Sequence, residues 1–361
     1  MKKKIFTIVV VSMFLLVSIS IVSALDTETE LKEAINSSGE TIYVDDNNIE
    51  GPWDGTLGHP YQYIQDGIDS ANEGDIVYVF SGNYNQKLTI DKTIILQGED
   101  KDSTFVSSEA REGITITASN VQISEVYITG KQYDQRCICI KDVSQCVITD
   151  TNIKLEDPGD GIDLEDSNNN VISHNNFLGD ISIGVNLYDS NHNLIENNSF
   201  IGIKYGILGG HNSCIKYNTF KNIESVGVEL IWGGNDNEII GNTFINNGRG
   251  INLGWAGNRV YHNNFYSSVV YDWTTTENIW SSDDKEGNYY DDYNGFDVNQ
   301  DFIGDTPYPI DGQGDQKDYY PLMSPYGKPS APIINGPREG KCNEPQEYIF
   351  KAVDFDDDQL Y

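Results

Sequence analysis

Between residues 161 and 265, apolar and polar positions recur with a period too long for a helix and too regular for scattered hairpins. Phe177, Phe200, Phe220, Phe244 and Phe265 stand 23, 20, 24 and 21 residues apart. Two residues before each stands an asparagine (Asn175, Asn198, Asn218, Asn242, Asn263), and five before stands Ile172, Ile195, Ile215, Ile239 or Val260. Seven before come Asn170, Asn193, Ser213, Asn237 and Asn258. Each unit also carries a glycine followed by alternating residues: GIDL at 161, GVNL at 184, GILG at 206, GVEL at 227 and GINL at 250. That is the period of a strand. Three short strands in about 22 residues cannot close a compact sheet, but they make one turn of a coil whose strands stack on the next turn.

The expected fold is therefore all-β, a parallel β-helix. Equivalent side chains lie about 4.8 Å apart along its axis, so inward positions become stacks of Ile, Leu and Phe. Asparagine at the turns tolerates left-handed backbone, and its amide reaches the next rung, so Asn175, Asn198, Asn218, Asn242 and Asn263 are read as a structural ladder. The rhythm persists upstream in SNVQISEVYITG and SQCVITDTNIKL, giving eight or nine rungs. A helix from about Tyr61 to Ala71, with Ile64, Ile68 and Ala71 on one face, is expected to cover the open N-terminal end.

On these motifs the chain resembles the exported right-handed β-helix proteins of the pectin-lyase-like superfamily, in particular the NosD-type proteins, which implies a right-handed parallel β-helix. The resemblance covers residues 41 to about 323 and rests on YIQDGIDSANEGDIVYV, GNYNQKLTI, the NxIxxNxF rungs and GNYYDDYNGFDVNQDFIGDTPYPI. It implies a fold more than an activity. It also implies copper binding, which needs soft sulfur or imidazole donors brought together. His174 and His262 share a column but lie four rungs apart, about 19 Å. His192 and His211 occupy other columns, so a copper-accessory role is disfavoured.

Composition adds location. The formal net charge of −33 argues against nucleic acid as a partner and for an outward-facing protein. Lys2, Lys3 and Lys4 precede an apolar run ending at Val22-Ser23-Ala24, which reads as a signal peptide over 1–24, cleaved or retained as an anchor. No later run is long enough to span a membrane. The five cysteines give no disulfide framework; Cys137 and Cys146 either pair or are small buried side chains. The segments then run as a linker over 25–40, the β-helix over 41–323 (cap 41–100, rungs 101–275, acidic cap 276–323) and a proline-rich linker over 324–332. Residues 333–361 resemble the opening of an immunoglobulin-like or PKD-type module.

Candidate chemistry lies on the outward face. Residues one and three places after each repeat glycine should point inward, leaving the second, fourth and fifth exposed. The flank so defined includes Asp163, Glu165, Asn186, Tyr188, Glu229, Trp232 and Trp255, a mixture suited to stacking on sugar rings and bonding their hydroxyls. Asp163, Asp166 and Asp189 are the candidate catalytic carboxylates for a polysaccharide lyase, hydrolase or epimerase. Asp297, Asn299, Asp301 and Asp305 follow the alternating spacing of a calcium loop, with Phe302 where the tight-turn glycine belongs. The alternative for that stretch is a plain cap of polar turns and aromatics. The preferred reading is a secreted or cell-surface protein that binds polysaccharide or envelope glycan without catalysis and is stabilised by calcium.

Overall fold

The computed structural model describes residues 39–231 and 233–327, together with the backbone of two short antiparallel strands, Ile333–Asn335 and Ile349–Lys351. The expected signal segment, Trp232, Cys342 and the rest of the C-terminal module lie outside the described residues.

The coil is a parallel β-solenoid. One wall is a sheet of ten strands in parallel register, running from Thr41–Val44 to Arg259–Tyr261. The other two strand positions merge into one extended sheet, because Asn152–Glu165 and Asn176–Asn191 run through the corner between them. The repeat predicted from spacing is the observed register: Ile215 pairs with Ile239, Phe220 with Phe244 and Val228 with Ile251.

Inside, Phe177, Phe200, Phe220, Phe244 and Phe265 are fully buried and form one column, with successive ring centroids 4.6, 4.9, 4.8 and 4.9 Å apart. The repeat glycines are required by this column. A Cβ at Gly206 would stand 2.6 Å from the Phe220 ring and 2.4 Å from the Gly227 carbonyl oxygen. The requirement is close approach rather than an unusual φ.

The asparagine ladder forms, and each rung follows one rule. The Oδ1 of Asn218 accepts from the backbone N (2.9 Å) and the Nδ2 (3.0 Å) of Asn198. Its own Nδ2 donates to Asn242 Oδ1 (3.0 Å) and to the Ile195 carbonyl (2.8 Å). Left-handed backbone, however, belongs one residue earlier, to His174, Asn197, Tyr217, Gly241 and His262. The turn corner precedes the ladder residue, whose amide is committed to the axis. A second ladder passes through Asn170, Asn193, Ser213, Asn237, Asn258 and Asn278.

The ends are closed differently. The helix spans Ile64–Ser70, shorter than expected, because Tyr61 is already bridged to Val44 and Tyr63 is extended. Its Ile64, Ile68 and Ala71 faces are buried as predicted. At the other end the repeat continues one turn further than its spacing suggested. Asn288 joins the ladder, and Tyr290 joins the aromatic column 5.3 Å from Phe265, with Tyr308 stacked 3.7 Å beyond. The first ladder then ends on the carboxylate of Asp318 and the second on that of Asp272. Cys137, Cys139, Cys146 and Cys214 are free thiols, so the Cys137–Cys146 pairing does not form: Cys137 is buried on a strand, and the Cys146 thiol faces the Ala118 carbonyl.

Two outcomes test this scheme. Asn218→Ala removes an acceptor for two buried donors, and thermal or denaturant unfolding should show a loss of about 2–4 kcal/mol; a change below about 0.5 kcal/mol would contradict the ladder's role. Burial pushes the Asp318 carboxyl up to about 7, against opposing bonds from Tyr320, Asn288 and Tyr290. A folded value above the unfolded one means a contribution present in full at low pH and lost as pH rises through about 7. The unfolding midpoint of Asp318→Asn relative to wild type should therefore rise steadily from about pH 4 to about pH 8, and a constant difference would refute it.

Candidate functional site

The strands that begin at the repeat glycines present their middle residues outward in one column. Cys139, Asp163, Asn186, Leu208, Glu229, Asn252 and Tyr271 are successive backbone partners. Ile162, Leu164, Val185, Leu187, Val228 and Leu230 point inward as expected. The expectation that the column is exposed is corrected: Asp163, Glu229 and Asn252 are 1%, 4% and 3% exposed. At one rung's separation the outward side chains cover and bond one another. Asn186 Nδ2 donates to Asp163 Oδ1 at 2.9 Å, and Asn252 Nδ2 donates to Glu229 Oε1 at 2.8 Å.

One end of this face is charged and internally paired. Arg136 Nη1 lies 2.9 Å from Asp163 Oδ2 and 2.5 Å from Glu165 Oε1. Lys141 Nζ lies 2.6 Å from Glu112 Oε1 and 3.7 Å from Glu165 Oε2. Burial and then the neighbouring Asp163 charge push Asp160 up to about 6, with Arg136 opposing. Burial raises Asp163 too, again against Arg136, and raises Glu229 against its bond from Asn252. Asp166 and Asp189 are exposed and sit in left-handed turn positions, apart from the buried Asp163.

The other end is aromatic. Trp273 is 42% exposed, yet its Nε1 donates to Asn252 Oδ1 at 2.8 Å and its ring stacks on Tyr271 at 5.7 Å. The Arg249 guanidinium lies 4.5 Å from the centroid of the same Tyr271 ring. Trp255 is 49% exposed and donates to the Ile231 carbonyl, and Tyr188 is 64% exposed farther up the face. Trp273 and Tyr271 escaped the sequence reading because their strand, Val270–Asp272, lacks the leading glycine. Their signal was Val270, one rung below Ile251.

The acidic loop folds around its own carboxylates. Asp297 accepts from the backbone N–H groups of Gln300 (2.6 Å), Asp301 (3.2 Å) and Phe302 (2.9 Å), and Asp305 accepts from Val298 (2.6 Å). Asn299 Nδ2 donates to Asp301 at 2.8 Å. Phe302 adopts the left-handed φ of 70° that a glycine would supply. Among the described residues no three His, Cys, Asp or Glu side chains converge as a metal-holding group.

A model of the family described as "Periplasmic copper-binding protein (NosD)" matches residues 34–230 and 99–295, well over half of the chain. The chain belongs to the NosD family. A "Cell surface glycoprotein" of Methanothermus fervidus is 31% identical over 93 residues, covering 25% of this chain and 15% of that protein. The chain thus spans a small part of the length of the curated relative it matches. Among solved structures, the catalytic domain of a GH87 α-1,3-glucanase in complex with nigerose has a TM-score of 0.42 at 14% identity, over 58% of this chain and 46% of that one. An alginate lyase from Paenibacillus sp. has a TM-score of 0.39 at 13% identity, over 62% and 90%. Likenesses of this size carry no argument about activity.

Among the described residues of this NosD-family chain, the sulfur and imidazole donors do not gather as a copper centre would need. Three of its described histidines are engaged separately, His262 Nε2 with Glu286 (2.8 Å), His211 Nδ1 with Asn235 (2.5 Å) and His59 with Asp54 (3.2 Å), while His174 and His192 stand at left-handed corners. Burial pushes the thiols of Cys137, Cys139 and Cys146 up, disfavouring the thiolate that copper takes. No helix among the described residues is long and apolar enough to cross a membrane.

Proposed function

We propose that the protein is a secreted or cell-surface β-helix that binds envelope glycans without cleaving them, through the aromatic end of its outward face. The observation that carries this is Trp273, held by Asn252 and Tyr271 while 42% of it faces solvent. A flat ring fixed before a ligand arrives, with the Arg249 guanidinium over the neighbouring Tyr271 ring, suits the apolar face and hydroxyls of a pyranose. The surface location draws support from the named role of the M. fervidus relative.

Polysaccharide cleavage is the second reading, favoured by the raised Asp160 beside Asp163. Against it, Asp163 is covered and tied to Arg136, leaving no access for substrate. Calcium ordering of the loop from Asp297 to Asp305 belongs to the preferred reading, and copper carriage does not.

On a glycan array, the double variant Trp255→Ala, Trp273→Ala should lose at least about tenfold in signal, and an array blank for wild type would remove the binding role. Incubation with a polysaccharide panel and calcium, assayed for reducing or unsaturated ends, should stay silent; product formation would restore the enzyme reading. A calcium-bound loop stabilises only the folded state. A chelator should then lower the unfolding midpoint by roughly 2–4 °C or more, and an unchanged midpoint excludes calcium.

A further inference from the structure

The corner between the strands Leu194–Glu196 and Ser199–Ile201 carries the tripeptide Asn197-Asn198-Ser199. Asparagine followed two places on by serine or threonine, with no proline between, is the acceptor pattern for N-linked sugar. The chain holds it twice, and the other copy, Asn36-Ser37-Ser38, lies outside the described residues. The two asparagines of the corner are opposites. Asn198 is 2% exposed, and its Nδ2 is committed to Asn218 Oδ1 and the Ile172 carbonyl. Asn197 is exposed in left-handed backbone, with φ 53°, and its side chain makes no hydrogen bond among the described residues. The fold does not need its amide. Equivalent corners are made by His174, Tyr217, Gly241 and His262, and the corner at Asn197 is held by its backbone N–H on the Lys216 carbonyl at 3.2 Å. The neighbouring corner also leans away: Tyr217 lays its ring toward Gly241, where an added Cβ would meet it at 2.5 Å. Asn120, Asn169, Asn212, Asn222 and Asn246 stand in similar exposed left-handed corners, yet none has serine or threonine two places on.

We propose that Asn197 is a modification site that carries an N-linked oligosaccharide. The inference rests on the cell-surface location proposed above, because the chain must pass a glycosyltransferase on export, and it is independent of the glycan-binding face. The donor is an oligosaccharide joined through phosphate to a membrane lipid. Its C1–oxygen bond breaks as C1 bonds to Nδ2 of Asn197; the amide gives up one proton, and the lipid phosphate leaves with the electron pair of the broken bond. Ser199 supplies the hydroxyl that the pattern requires, and its Oγ has no partner in the folded rung. The ladder amides are closed to this chemistry, because a substituent on a buried Nδ2 would place a sugar inside the coil. At Asn197 the sugar projects from a corner into solvent. That corner joins the two strand positions other than that of the repeat-glycine strands, so the sugar leaves the Trp273 end of the outward face free.

The test is mass spectrometry of the protein purified from its own cells. Trypsin releases Leu155 to Lys204 as one peptide, which holds Asn197 and no other Asn-x-Ser/Thr. Its mass should exceed the bare value by whole sugar residues, and electron-transfer fragmentation should place the addition on Asn197. In the same cells, Asn197→Gln and Ser199→Ala should each give a peptide of bare mass, while Ser199→Thr should keep the addition. The rung accepts such changes: Tyr217 and His262 stand at equivalent corners, and Thr219 is the register partner of Ser199. A bare peptide from envelope protein, a sugar placed on another residue of the peptide, or an addition that survives Ser199→Ala would overturn the proposal. A bare peptide from protein found only inside the cell would sink the surface location and the site together. On the glycan array Asn197→Gln should bind as wild type does; a blank array beside a sugar-bearing Asn197 would sink the binding face and leave this site standing.

Discussion

The structure depends on one geometric fact: each turn repeats the last at a spacing of about 4.8 Å, so every side chain meets its own equivalent. An asparagine tolerates that meeting because its amide is donor and acceptor at once. In the first ladder the Oδ1 of Asn198, Asn218, Asn242, Asn263 and Asn288 takes two N–H bonds from the turn before, one of them passed on by that turn's Nδ2. The ladder is therefore polar along the axis, with donors pointing toward the closing end. Whatever closes it must supply an acceptor. Asp318 and Asp272 do this for the two ladders, which accounts for buried carboxylates at a place where burial alone would discourage them.

The same repetition governs the outward face. Like charges stacked rung on rung would repel, and the column avoids this by following each carboxylate with an amide. Asp163 is followed by Asn186, and Glu229 by Asn252. The cationic Arg136 and Lys141 are spent on carboxylates of the neighbouring rungs. Pairing of this kind removes groups from solvent and makes the charged end part of the wall.

Much of this was legible in the residues. The Phe, Asn and Ile columns fixed register, because their spacing reports the length of a turn and nothing else does so as directly. The second ladder was visible as the column from Asn170 to Asn258, but its amides were not assigned because no turn rule demanded it. Asn288 and Tyr290 repeat the Asn-x-Phe signal with tyrosine for phenylalanine, and the acidic residues after them hid the match. The site was less legible. Alternation told which way Asp163 and Glu229 point, but exposure depends on what the adjacent rungs place over them, and that is a property of pairs in space. Trp273 carried no repeat glycine to mark it.

Function on such a scaffold resides where internal partners run out. Along the outward face that happens between Asn252 and Trp273, where the hydrogen bonds of the column end and a large ring remains half in solvent. At the closing end it happens around Tyr308, the last ring of a stack that began at Phe177. In the rungs a buried carboxylate is answered by an amide, an arginine or a ladder donor. The solenoid's own regularity thus makes its irregular ends the chemically available surface.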